Sequence, residues 1–177
     1  MTMQTARLGA KTEAGSLANG GAGQYLSFRL ENEEYAIDIL KVQEIKGYVA
    51  ITPIPNTLPH IKGVINLRGT VVPVVGLRER FGMPSVPYDK FTVIVIVSVG
   101  TRVVGMVVDA VSDVLVLKDE EIEATPDFGR SVDTSFLRGL AKVGERLVLA
   151  LDVERVVSDA ESARALATTT EEDGIQP

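Results

Sequence analysis

The chain has no cysteine, no tryptophan and a single histidine among its 177 residues. Without cysteine there can be no disulfide, no Cys-ligated zinc or iron–sulfur site and no thiolate nucleophile. One imidazole, His60, excludes a His-rich metal site and leaves one candidate for imidazole acid–base chemistry. It stands among Leu58, Pro59 and Ile61 with no catalytic-type partner nearby in sequence, so it reads as a packing or surface residue. No apolar run approaches the roughly 20 residues that cross a bilayer. The longest candidate, 91–99, is short and interrupted, and a soluble chain without membrane insertion is expected. Basic side chains form no dense run, and 18 Lys plus Arg face 24 Asp plus Glu for a net charge of −6. That argues against a nucleic-acid partner, which demands concentrated positive charge. A phosphate loop, a GxGxxG turn, a GxSxG elbow and HExxH are all missing.

What is present is an ordinary globular composition, 45% hydrophobic and 24% charged, enough for a real core. Residues 1–23 are rich in Gly, Ala and Ser and lack the apolar stretch of a secretion signal, so they read as a flexible lead. The folded domain is placed at 24–158, and 159–177 as the end of a C-terminal helix and a polar tail.

The chain holds 25 Val and 11 Ile, residues that fit pleated surfaces better than helices. Residues 24–30 alternate in polarity, Glu31-Asn32 makes a turn, and 33–39 returns, giving a hairpin. A second hairpin follows from 91–99, Gly100-Thr101 and 102–108. Further strands are expected at 63–67, 70–75, 111–117, 137–143 and 146–151, with Pro73 at an edge or a bulge. Residues 76–81, ending at Gly82, predict a short helix. Asp152 can cap another running to Ala167, with Val153, Val156, Val157 and Ala160 as its apolar stripe.

The two halves echo each other. An offset of 69 lays Ile39 on Val108, Val42 on Val111 and Glu44 on Asp113; an offset of 76 lays Gly63 on Gly139 and the run 71–77 on 147–153. The seven extra residues of the second copy fit in the loop 125–131. The reading is a duplicated β unit, with strands at 24–90 and 91–151, each unit closed into a small barrel so that no long edge stays unpaired. Gly63, Gly69, Gly105 and Gly139 are structural, placed where positive φ or close strand approach is needed.

Asp38, Glu44, Asp109 and Asp113 are the raw material for a paired-carboxylate enzyme, but acids beside β turns are ordinarily solvated. A generic β-barrel reader of peptide or RNA is the alternative function, disfavoured for RNA by four Tyr, five Phe, no Trp and the wrong net charge.

Three ordered motifs, EYAIDILKVQEI at 34–45, IKGVINLRGTVVPVV at 61–75 and RVVGMVVDAVSDV at 102–114, closely resemble the CheW family of bacterial chemotaxis coupling proteins. The match spans nearly all of 24–157. The resemblance implies a mainly β fold of two intertwined five-stranded SH3-like barrels. It also implies a non-catalytic adaptor without cofactor or metal. Such an adaptor links the cytoplasmic tips of methyl-accepting chemotaxis receptors to the regulatory domain of the histidine kinase CheA, with other CheW-like domains as further partners. The place of action is the cytoplasm, at membrane receptor arrays. By position, Val42, Glu44, Arg68, Val93 and Val108 match the family's receptor-binding groove; kinase-binding residues are not assigned. Arg68 alone would be an idle exposed residue; the motif gives it either a pairing with Glu44 or a contact with the receptor. Two positions depart from the family: Gly76 stands where Asp is common, and His60 where an aromatic is more usual.

Overall fold

The computed structural model describes residues 22–125 and 135–158. Eleven strands follow in order: β1 Ala22–Leu30, β2 Glu33–Asp38, β3 Val42–Gly47, β4 Ile61–Leu67, β5 Thr70–Gly76, β6 Val93–Val99, β7 Arg102–Val108, β8 Ala110–Lys118, β9 Ile122–Glu123, β10 Leu137–Val143 and β11 Arg146–Leu151. Two single-turn helices, α1 Leu77–Arg80 and α2 Val153–Val156, follow β5 and β11.

The strands form two sheets. The first runs β8-β1-β2-β11-β10-β9 and the second β3-β6-β7-β5-β4. The expected halves, 24–90 and 91–151, are therefore not the two sheets: the first sheet takes β1 and β2 from one copy and its other four strands from the second. The copies have exchanged strands reciprocally, and the chain crosses between sheets at a 3-10 turn, Ile39–Lys41, and again at Asp109 between β7 and β8.

The duplication itself holds in register. Val42 pairs with Val97 and Glu44 with Ile96 across a register shift; an offset of 69 carries these to Val111 with Phe28 and Asp113 with Ser27, across the same shift. Ile61 pairs with Val75 and Gly63 with Val74, and an offset of 76 carries these to Leu137 with Leu151 and Gly139 with Ala150. The parallel pairings correspond as well, Val74 with Gly105 in one sheet and Ala150 with Ala36 in the other.

Three apolar clusters follow from this arrangement. Ile65, Leu67, Val72, Val74, Ile94, Ile96 and Val107 pack within the second sheet. Tyr25, Ala36, Leu115, Leu117, Ala141 and Val148 pack within the first. The largest lies between them, with Leu26, Phe28, Leu30 and Ile37 of one sheet against Val95, Val97, Met106 and Val108 of the other. Each fully buried side chain of this size contributes about 1.5–3 kcal/mol, so separating the sheets is costly. Both sheets also tie their own ends. In the first, β8 leads through Asp119–Glu121 directly into β9, which pairs with β10. In the second, Thr52 exchanges two backbone hydrogen bonds with Val64 of β4, each 2.9 Å.

Gly63 and Gly139 are required at these closures. A Cβ on Gly63, whose φ is 140°, would lie 2.0 Å from the Thr52 carbonyl oxygen, and one on Gly139 would lie 2.4 Å from the Glu123 carbonyl oxygen. Gly105 is a packing glycine whose Cβ would meet Ile94 Cγ2 at 2.8 Å.

Local chemistry shifts several expected boundaries. Ile39 leaves the strand because the Asp38 carboxylate accepts from the Leu40 N–H at 2.9 Å and opens the 3-10 turn. The strand expected from residue 91 starts at Val93, since Asp89 accepts from the Phe91 N–H and the Thr92 hydroxyl, a local turn that competes with the ladder. Pro73 sits in an internal strand, not on an edge. It escapes penalty because β7 pairs only with Val74–Gly76. Asp152 caps α2 as expected, accepting from Glu154 N–H at 3.1 Å. The described helix is one turn, with Val153, Val156 and Val157 buried. Ala160, the remainder to 167, and 126–131 of the proposed insertion loop fall outside the described residues.

Candidate functional site

The site grows from the two ends of the second sheet. β3 is one end, and the two-residue turn joining β4 to β5 belongs to the other. Arg68 and Gly69 form that turn with φ of 50° and 89°, the left-handed pair typical of a tight hairpin, and the Asn66 side chain accepts from the Gly69 N–H at 2.7 Å. This places the Arg68 guanidinium 2.6 Å from Glu44 Oε1 on β3. The hydrogen bond from Arg68, together with its charge, holds the Glu44 carboxyl below its ordinary value. The Arg68 side chain is 65% exposed and Glu44 30%, so the pair sits at the surface where a partner can reach it.

Val42 lies two residues before Glu44 across the bulge, partly buried and packed on the inter-sheet cluster. Val93 on β6 is likewise partly buried and pairs with Gly47 of β3. Ile45 beside Glu44 and Val71 just after the turn are exposed, supplying apolar surface to an otherwise charged patch. Val108 does not belong to this surface. It is 1% exposed, inside the inter-sheet core, because β7 carries apolar clusters on both of its faces.

The four acids considered as enzyme carboxylates have separate duties. Asp38 caps the 3-10 turn, Glu44 pairs with Arg68, Asp109 with Arg78, and Asp113 accepts from the Val114 N–H. His60 is buried, and its carbonyl accepts from the Gly76 N–H at 2.8 Å.

The scan against family models matches the CheW-like domain over residues 24–161. Chemotaxis protein CheW of Klebsiella aerogenes is 50% identical over 148 residues, 83% of this chain and 89% of that protein. The chain belongs to the CheW family. Chemotaxis protein CheW of Rhizobium meliloti is 37% identical, covering 84% of this chain and 96% of its own. The crystal structure of the scaffolding protein TtCheW from Thermoanaerobacter tengcongensis superposes with a TM-score of 0.70 at 34% identity, over 76% of this chain and 86% of that one.

Within this CheW-family fold, the departure at Gly76 is explained locally. Gly76 is the N-cap of α1 without a side-chain cap, and its counterpart 76 residues on is the capping Asp152. A Cβ at Gly76 would meet Glu79 Oε1 and, at 2.9 Å, Lys62 Cδ. Glu79 and Lys62 fill the space beside Gly76, 3.2 Å from each other, with Glu79 also accepting from Ser85, while the helix start keeps no side-chain cap. Burial pushes the Glu79 carboxyl up, but these partners outweigh it and hold it low.

Sequence reasoning missed a second cluster. Arg78 of α1 forks onto Asp109, Nη2 to Oδ2 at 2.6 Å and Nε to Oδ1 at 2.9 Å, with Glu31 Oε2 3.5 Å from Nη1. The three residues are scattered along the chain, so no local pattern announced them.

Proposed function

We propose that this chain is a non-catalytic coupler that joins chemotaxis receptors to the histidine kinase CheA in the cytoplasm, recruited to membrane receptor arrays. The observation that carries the reading is the exposed Glu44–Arg68 pair, set in the motifs that the chain shares with its family. The pair fixes the hairpin tip of one sheet end against the edge strand of the other, so a partner meets a shaped surface.

The receptor tip is assigned to Val42, Glu44, Arg68 and Val93, an apolar centre with a charged rim suited to an amphipathic helical hairpin. CheA takes a different surface, as a coupler must hold two partners at once. Each such surface buries on the order of 1,000–2,000 Å². No helix of the described residues is long and apolar enough to cross a membrane, in keeping with recruitment through receptors.

The test is reconstitution of CheA with receptor-bearing membranes, with and without this chain. Kinase stimulation that depends on the chain is the expected result. Equal kinase activity in both arms overturns the reading, and RNA or an unrelated peptide recovered in its place would support the barrel-reader alternative.

A further inference from the structure

Helix α1 does more than terminate β5. The offset of 76 lays α1 on α2, so Arg78, Arg80 and Phe81 correspond to Glu154, Val156 and Val157. In α2 those positions are quiet. Val156 and Val157 are buried in the shared core, and Glu154 comes no closer than 3.9 Å to Lys41, with both side chains exposed. In α1 each position reaches across to the other sheet or to a crossover. Arg78 forks onto Asp109, whose Oδ2 also accepts the Glu31 N–H at 2.8 Å. Arg80 Nε donates to the Val156 carbonyl at 3.0 Å, its guanidinium lying over the Phe136 ring. The Phe81 ring centre is 5.5 Å from that of Tyr35 and 5.2 Å from that of Phe136.

The two crossovers differ accordingly. Asp109 occupies one; 69 residues earlier, the equivalent position is Leu40, 55% exposed. The inter-sheet core between them consists of Val, Leu, Ile, Met and aromatic side chains, and apolar contact is non-directional. A planar guanidinium on a carboxylate is directional, and here the side chains are only 15% and 28% exposed, so misalignment leaves poorly hydrated charge without its partner.

We infer that α1 sets the angle between the two barrels, with Arg78 as the positioning residue that acts through Asp109. Because a coupler holds two partners at once, this angle fixes how a surface on one sheet is placed relative to a surface on the other; that last step rests on the function proposed above.

Pulsed spin–spin distance measurement on the full chain tests it. Val71 and Leu147 are exposed, one on each sheet, and the absence of native cysteine lets Val71→Cys with Leu147→Cys carry labels without background. The parent pair should give one narrow distance distribution. Arg78→Met should broaden and displace it, Arg78→Lys should do so in spite of the retained charge, and Lys41→Met should leave it unchanged. If Arg78→Met does not fold, Arg78→Lys and Asp109→Asn give the same readout, since Asp109 is the other half of the fork. An unaltered distribution in Arg78→Lys and Asp109→Asn overturns the inference. In the kinase reconstitution, Arg78→Lys should lower stimulation while receptor binding persists. A broadened distribution with undiminished stimulation overturns the link from angle to coupling. No stimulation by the parent chain overturns the proposed function and leaves the positioning role standing on the distances.

Discussion

Arg68 and Gly144 occupy the same position of the same hairpin turn in the two copies, with φ of 50° and 63°. The fold needs a left-handed residue there, and the second copy meets the need with glycine. The first copy places a bulky side chain in a conformation that disfavours it. Strain of this kind persists where the side chain has a task, and the Arg68 guanidinium is spent on Glu44.

Arg68→Gly should therefore raise Tm slightly, by roughly 1–3 °C, since relief of backbone strain is partly offset by the freer unfolded chain. Arg68→Ala keeps the strain and should leave Tm nearly unchanged. Both should weaken receptor coupling. Thermal scans beside a receptor pull-down check this, and a clear drop in the Tm of Arg68→Gly would make the ion pair structural.

The glycines rank by what surrounds them. Gly63→Ala should be the most damaging, because its Cβ runs into the Thr52 carbonyl at positive φ, and Gly139→Ala the next, against Glu123. Gly69 has positive φ but nothing within 4 Å of a Cβ, so Gly69→Ala should cost only about 1 kcal/mol. Urea unfolding of the three variants tests the order; Gly69→Ala as the least stable would contradict it.

The sequence pattern disclosed the hairpins and the duplication, because alternation and fixed offsets are local and repetitive. Strand exchange was invisible to the offsets. They state which residues are equivalent, and β1–β2 can meet β11 or its counterpart β5 with the same registers. Val42, Glu44 and Arg68 were legible as a motif, and the structure brings Glu44 and Arg68 together. Val108 was misplaced for a physical reason: β6 and β7 are covered on both faces, so their continuous apolar runs carry no sign of an outside. Arg78, Asp109 and Glu31 lie in three separate stretches, and only the fold assembles them.

Burial pushes the Asp109 carboxyl up, but the Arg78 hydrogen bonds, the Glu31 N–H and the Arg78 charge outweigh it and hold it below its ordinary value. A value lower in the folded than in the unfolded chain means that the unfolded chain takes up protons first as pH falls. The stabilisation is complete above the ordinary Asp range near ~4 and is lost as pH drops through the folded-state value. Asp109→Asn should be less stable than the parent at neutral pH and less sensitive to acid below about pH 4. Glu79, also held low, keeps a remaining slope in both. Urea midpoints measured across acid pH decide it, and parallel curves for parent and variant would remove Asp109 from the acid response.

Val42 and Val108 should part company under the same substitution. Val108 is buried between β6 and the inter-sheet core, and an aspartate there must be either charged without a partner or protonated, each at a cost well above ~3 kcal/mol. That is a large share of the roughly 5–15 kcal/mol that holds a domain together, so Val108→Asp should not accumulate as folded protein. Val42 stands on the outermost strand of its sheet, half-open to solvent, where a carboxylate can turn toward water. Val42→Asp should fold with a lowered Tm and fail to bind receptor, because its negative charge would replace the apolar centre of the patch beside Glu44. Circular dichroism and a receptor pull-down on the purified variants separate the cases. A Val42→Asp protein that is folded and still recovers receptor would remove this residue from the interface.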